Sequence, residues 1–71
     1  MRSPKGAVAI AKKATQIEPE NPTYLDTLAT ALFANGEAAQ AAESESHALK
    51  LKPDNPSYKD ALAKYKAAGL N

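Results

Sequence analysis

An eleven-residue phrase occurs twice in the chain. It runs from Pro19 through Asn21, Pro22, Tyr24, Asp26 and Leu28 to Ala29, and returns from Pro53 through Asn55, Pro56, Tyr58, Asp60 and Leu62 to Ala63. Seven of the eleven positions are identical, Glu20/Asp54 and Thr23/Ser57 are conservative, and each matched pair lies 34 residues apart. A constant period of this size marks a stacked array, in which each unit is one supersecondary element that cannot bury its apolar face alone. The rest of the chain has to fit that period.

With 71 residues, the chain is expected to form a single domain, residues 1–71, with a thin core. Burial at this size rarely nets more than about 3 to 5 kcal/mol. The apolar fraction is 44%, but about half of it is alanine, which favours close helix contact more than it supplies hydrophobic free energy. Nine basic and eight acidic side chains leave a net charge of +1, too balanced to steer the chain to phosphate backbones or anionic lipid. Neither nucleic acid nor membrane is an expected partner. No cysteine is present, so disulfides, thiolate zinc sites and thiol nucleophiles are excluded, and the redox compartment stays open. No stretch approaches the ~18 apolar residues of a spanning helix, and Lys5, Lys12 and Lys13 stand where a signal peptide needs its apolar region.

Four helices are predicted, at about 4–17, 22–35, 37–51 and 56–68, with no strand signal between them. Ser3 and Pro4 form a cap-plus-proline start for the first. Its apolar positions Ala7, Val8, Ile10, Ala11, Ala14 and Ile17 cover about half of the helix circumference, enough for two neighbours. Pro19 ends it, and Asn21 with Pro22 opens the second helix, whose stripe of Tyr24, Leu25, Leu28, Ala29, Ala31 and Leu32 is the clearest in the chain. Gly36 can close that helix in the left-handed conformation, and the short turn forces the third helix to double back antiparallel. The third is alanine-rich, with Lys50 and Lys52 complementing its carboxyl end. Pro53 breaks it, Asn55 and Pro56 start the last helix, and Gly69 closes that one. The fold class is therefore all-α.

The period and the residues at its fixed positions resemble the tetratricopeptide repeat. Leu25, Leu28, Ala29, Leu32, Gly36, Ala41, Glu45 and Pro53 stand at the pattern positions of one complete repeat. The preceding half unit supplies Ala7, Ala11, Ala14 and Pro19, and the following half unit Leu62 and Ala63. The resemblance covers residues 4–69 and implies helix-turn-helix units of the α-solenoid type, one full repeat flanked by two half repeats. It also implies a scaffold for protein binding, with no cofactor.

Two departures from the family pattern carry information. Lys59 and Lys66 replace Leu25 and Leu32 in the last helix, which makes that face polar, as the terminal unit of a stack requires. Glu45 stands where the family places a large apolar side chain. The expectation is that thin alanine packing lets its carboxylate reach water; the alternative is a specific role, such as bonding a tyrosine hydroxyl or a neighbouring subunit. The amino-terminal helix has no corresponding cap. Its face of Val8, Ile10, Ala11, Ala14 and Ile17 would be covered by preceding repeats, if this is the C-terminal segment of a longer repeat protein, or by a second copy in a homo-oligomer.

Catalytic constellations are poor. Glu43 and His47 lie four apart on one helix face, but two ligands do not make a metal site, and an exposed Glu–His pair is the simpler reading. Ser44 or Ser46 beside His47 lacks an oxyanion hole and a third orienting group. No enzyme is expected. Tyr24, Tyr58 and Tyr65 fall on the apolar stripes and are expected to pack in the core rather than to stack on bases.

Phe33 points about opposite to Tyr24, on the side of Thr23, Asp26 and Thr30. The family resemblance implies that this side lines a concave groove for peptides or partner helices, with Ser57, Asp60, Lys64 and Ala67 at the matching places of the last helix. Phe33 would be an apolar anchor there, or would instead fold onto the last helix. Asp26 and Asp60 favour a neutral or basic ligand. The lysine–asparagine clamp with which some family members hold a peptide carboxylate is absent, since Asp26 and Thr30 stand at those positions.

Overall fold

The computed structural model describes residues 4–69 and contains four α-helices: α1 (Pro4–Ile17), α2 (Pro22–Ala34), α3 (Ala38–Leu51) and α4 (Pro56–Gly69). The expected serine cap, Ser3, lies outside the described residues. Both repeats of the Asn-Pro signal do the same work: the side chains of Asn21 and Asn55 accept the backbone N–H groups of Tyr24 and Tyr58, at 3.2 and 3.1 Å. Each satisfies one of the orphan donors of a helix start, and the following proline gives up no bond by lacking its own.

Gly36 ends α2 with φ +81°, a conformation that a side chain resists. Its N–H bonds the carbonyl of Phe33 at 3.0 Å, and that of Glu37 bonds Leu32 at 2.9 Å, so the orphan carbonyls of the α2 terminus are met by the turn itself. Glu37 caps α3 without a side-chain bond. Its carboxylate instead accepts the Asn35 amide at 2.8 Å. Gly69, expected beyond the last helix, is its final residue.

The helices pack in sequence, α1 on α2, α2 on α3 and α3 on α4, as short connections between antiparallel elements dictate. The result is a slab of 32 × 31 × 17 Å, about two packed helices deep. Val8, Ala29, Ala31, Leu32, Ala41 and Tyr65 form the buried cluster, flanked by Leu28, Phe33, Ala42 and Ala61. Ala29, Ala41 and Ala48 are fully buried. Alanine at these points brings the backbones close, and the larger residues close the seams on either side. Lys59 and Lys66, the two departures in α4, are both exposed.

Candidate protein-binding surface

α2 and α4 carry the residues on which groove recognition was expected. Phe33 is half-buried. Its ring meets that of Tyr65 with centroids 4.8 Å apart and planes tilted by 36°. The ammonium of Lys64 sits 5.0 Å from the Phe33 centroid, within range of a cation–π contact. Phe33 therefore folds onto the last helix, the second of the two possibilities open to it, and still keeps part of its ring at the surface.

Of the other expected groove residues, Thr23, Thr30, Ser57 and Asp60 are exposed and Asp26 is half-buried. Thr30 turns its hydroxyl back to the Asp26 carbonyl at 3.1 Å. Thr23 lies toward α1 instead, along the groove described below. Where α2 meets α4, Phe33 is thus an apolar centre with Tyr65 against it and Lys64 over it.

The amino-terminal face is narrower than expected. Val8 and Ala11 are only 7% and 4% exposed: Val8 joins the core cluster, and Ala11 forms the floor of the groove rather than its exposed wall. Ile10 and Ile17 stand 74% and 72% exposed. With Ala7 and Ala14, Ile10 walls a groove of about 690 Å³ between α1 and the Thr23, Tyr24 and Thr27 side of α2. Tyr24, expected in the core, is half-buried along that groove; Tyr65 is fully in the core and Tyr58 half-buried.

Glu45 overturns its expectation. It is 0% exposed and the largest fully buried side chain among the described residues, and no N–H or hydroxyl group donates to either carboxyl oxygen, which leaves the Asp26 carboxyl as its hydrogen-bonding neighbour. Alanine packing, rather than opening a path to water, lets α2 and α3 approach until none remains. Burial first, and then the carboxyl of Asp26 beside it, push Glu45 up to about 8 from an ordinary 4.5, so it is a neutral acid at pH 7. The signal for burial was its register, at the place of a large apolar side chain in the repeat; the expectation that water would still reach it failed.

The polar residues of α3 also find other partners than expected. His47 pairs with Glu20 of the α1–α2 connection, Nε2 to Oε2 at 3.3 Å, and not with Glu43 one turn away. Ser44 is buried and donates to the Leu25 carbonyl at 2.7 Å, a tie between α3 and α2 that no nucleophile could share. Among the described residues no three carboxylate, histidine or cysteine side chains gather as metal ligands, and no helix is long and apolar enough to cross a membrane.

Comparison with curated proteins and with solved structures returned no match. The family profile of the tetratricopeptide repeat matches residues 1–65, nearly the whole chain and both copies of the repeated phrase. Stacked antiparallel helices on a 34-residue period, the paired Asn-Pro caps and that match agree: the chain belongs to the tetratricopeptide repeat family, whose modules generally bind other proteins.

Proposed function

We propose that the chain binds a peptide or partner helix along the face shared by α2 and α4, the concave side of the family's repeats. The observation that supports this reading is Phe33. An aromatic ring held by Tyr65 and Lys64 and partly open, on helices that also carry the polar Asp26, Thr30 and Asp60, has the make-up of an interface anchor. Apolar anchors inside a polar rim carry most of the energy in such contacts. Because Phe33 also packs against the core, its removal would blur binding with stability. The test therefore alters the polar positions: Thr30→Lys with Asp60→Lys, both at exposed positions, should leave the melting temperature unchanged. A partner captured by the wild-type chain should be lost with this variant and kept with Ile10→Lys on the opposite groove. Retention by the double variant would overturn the reading.

A second reading has its own observation. The 34-residue offset maps Ala7, Ile10 and Ala14 of α1 onto Ala41, Ser44 and Ala48 of α3, all three buried in the chain. The open wall of α1 is the counterpart of a covered wall. We infer that a second copy of the chain covers it, pairing the two α1 helices across a twofold axis.

A further inference from the structure

A buried carboxyl without a partner is costly, and such exceptions in folded proteins ask for an explanation. Glu45 is sealed from solvent, and no N–H or hydroxyl group donates to either of its oxygens; the proton it keeps is shared with the carboxyl of Asp26, which is half-buried on α2. α2 contributes no other charge. On α4, Lys59, Asp60, Lys64 and Lys66 are exposed, and Lys64 is engaged by Phe33. The phenols of Tyr58 and Tyr65 make no hydrogen bond to the Glu45 carboxyl. On α3 itself, His47 is taken by Glu20, and Glu43 and Lys50 point outward. On α1, Lys12 lies beside Leu25 and Ser44, and among the described residues no basic side chain is paired with either carboxyl.

We propose that Asp26 and Glu45 together receive one basic side chain, lysine or arginine, from a segment bound on the α2–α4 face. The proposal rests on the groove reading above and specifies what the groove selects. Asp26 is the accessible member and makes the first contact. Glu45 then turns toward the arriving cation and gives up its proton to solvent, exchanging a proton shared with Asp26 for a charge-assisted pair. A guanidinium suits this best, since its planar fork of N–H donors can serve two carboxylates at once. Two carboxyls are too few to hold a metal ion from the protein alone.

The test is an NMR titration of the isotope-labelled chain with a blocked pentapeptide carrying a central arginine, and with its citrulline counterpart, which keeps the shape and loses the charge. The arginine peptide should give saturable shifts around Asp26 and Glu45 and bind at least about tenfold more tightly than the citrulline peptide. Its affinity should rise about tenfold or more from about pH 6 to about pH 8.5, since Glu45 must release a proton on binding. Glu45→Gln should remove both the preference and the pH dependence while melting no lower than the wild type. Equal binding of the two peptides, or a preference that survives in Glu45→Gln, would overturn the proposal. If both peptides shift Thr30 and Phe33 alike, the groove reading stands and only the cation site falls. If neither peptide shifts any residue of the α2–α4 face, both fall.

Discussion

Glu45 is the residue at which the chain departs furthest from what its position asks. A native state that holds Glu45 protonated up to about pH 8 binds one more proton than the unfolded chain, where the group ionises near 4.5. Stability therefore falls as pH rises through that window, is free of the penalty below it and levels off above it. The shift corresponds to roughly 3 to 5 kcal/mol across the window, a large fraction of what a domain of this size possesses. Chemical denaturation of the wild type at about pH 5 and about pH 8.5 should show that loss. Glu45→Gln should flatten it, and Glu45→Leu, which restores an apolar side chain, should also raise the melting temperature at neutral pH. Parallel pH profiles for wild type and Glu45→Gln would mean that water reaches the carboxyl in solution. No physical account limited to the residue's neighbours in sequence could foresee this exclusion of water. It depends on how closely α2 and α3 approach, and that is set by Ala29, Ala41 and Ala48 on two different helices.

At the scale of the helices the same signal appears twice, and its two copies should differ in consequence. Asn21 caps a helix packed on both sides, by α1 and by α3, whereas Asn55 caps a terminal helix packed mainly on α3, with Tyr65 and Lys64 reaching Phe33 of α2. Each cap is worth about 1 kcal/mol. Asn21→Ala should therefore lower the melting temperature of the whole chain. Asn55→Ala should show mainly as faster amide exchange within Pro56–Gly69, because a terminal helix can open by itself. Equal effects on global melting would mean that the four helices unfold as one unit. The helix starts were legible in the sequence because Asn-Pro and Gly36 act through bonds and dihedral angles within a turn of themselves. The side-chain contacts that tie one helix to the next were not. His47 meets Glu20 across 27 positions and Ser44 meets Leu25 across 19, distances over which no local pattern operates. Val8 and Ala11 show the same limit from the other side. The wide apolar arc of α1 was evident, but which part of it α2 would claim was a matter of packing angle, and Ile10 and Ile17 were left outside.

For the whole molecule, the open wall of α1 decides whether the chain stays single. Covering it with α4 of another copy, head to tail, would set Lys59 and Lys66 against a helix that carries Lys5, Lys12 and Lys13 and no acid, and such a stack would also continue without closing. A twofold pairing of α1 with α1 closes on itself and buries Ile10, Ile17 and Ala14 of both copies. The lysines of the two helices still repel one another across it, so the pairing should be weak at low ionic strength and strengthen as salt screens them. This is the opposite of what a contact held by ion pairs would do. Sedimentation of the wild type should accordingly show mass increasing with protein concentration, more steeply at about 0.5 M than at about 0.05 M salt, where the screening length differs by roughly threefold. The melting temperature should rise with concentration in parallel, since a dimer that forms only from folded chains stabilises them by mass action. Ile10→Lys removes the central apolar contact and adds two charges per pair at an exposed position, so it should leave a monomer whose melting is independent of concentration. A wild-type chain that sediments as a monomer in high salt across a roughly hundredfold range of concentration would rule the pairing out. In that case the groove beside Ile10 is left to a helix from a different protein, with acidic side chains where α1 presents its lysines.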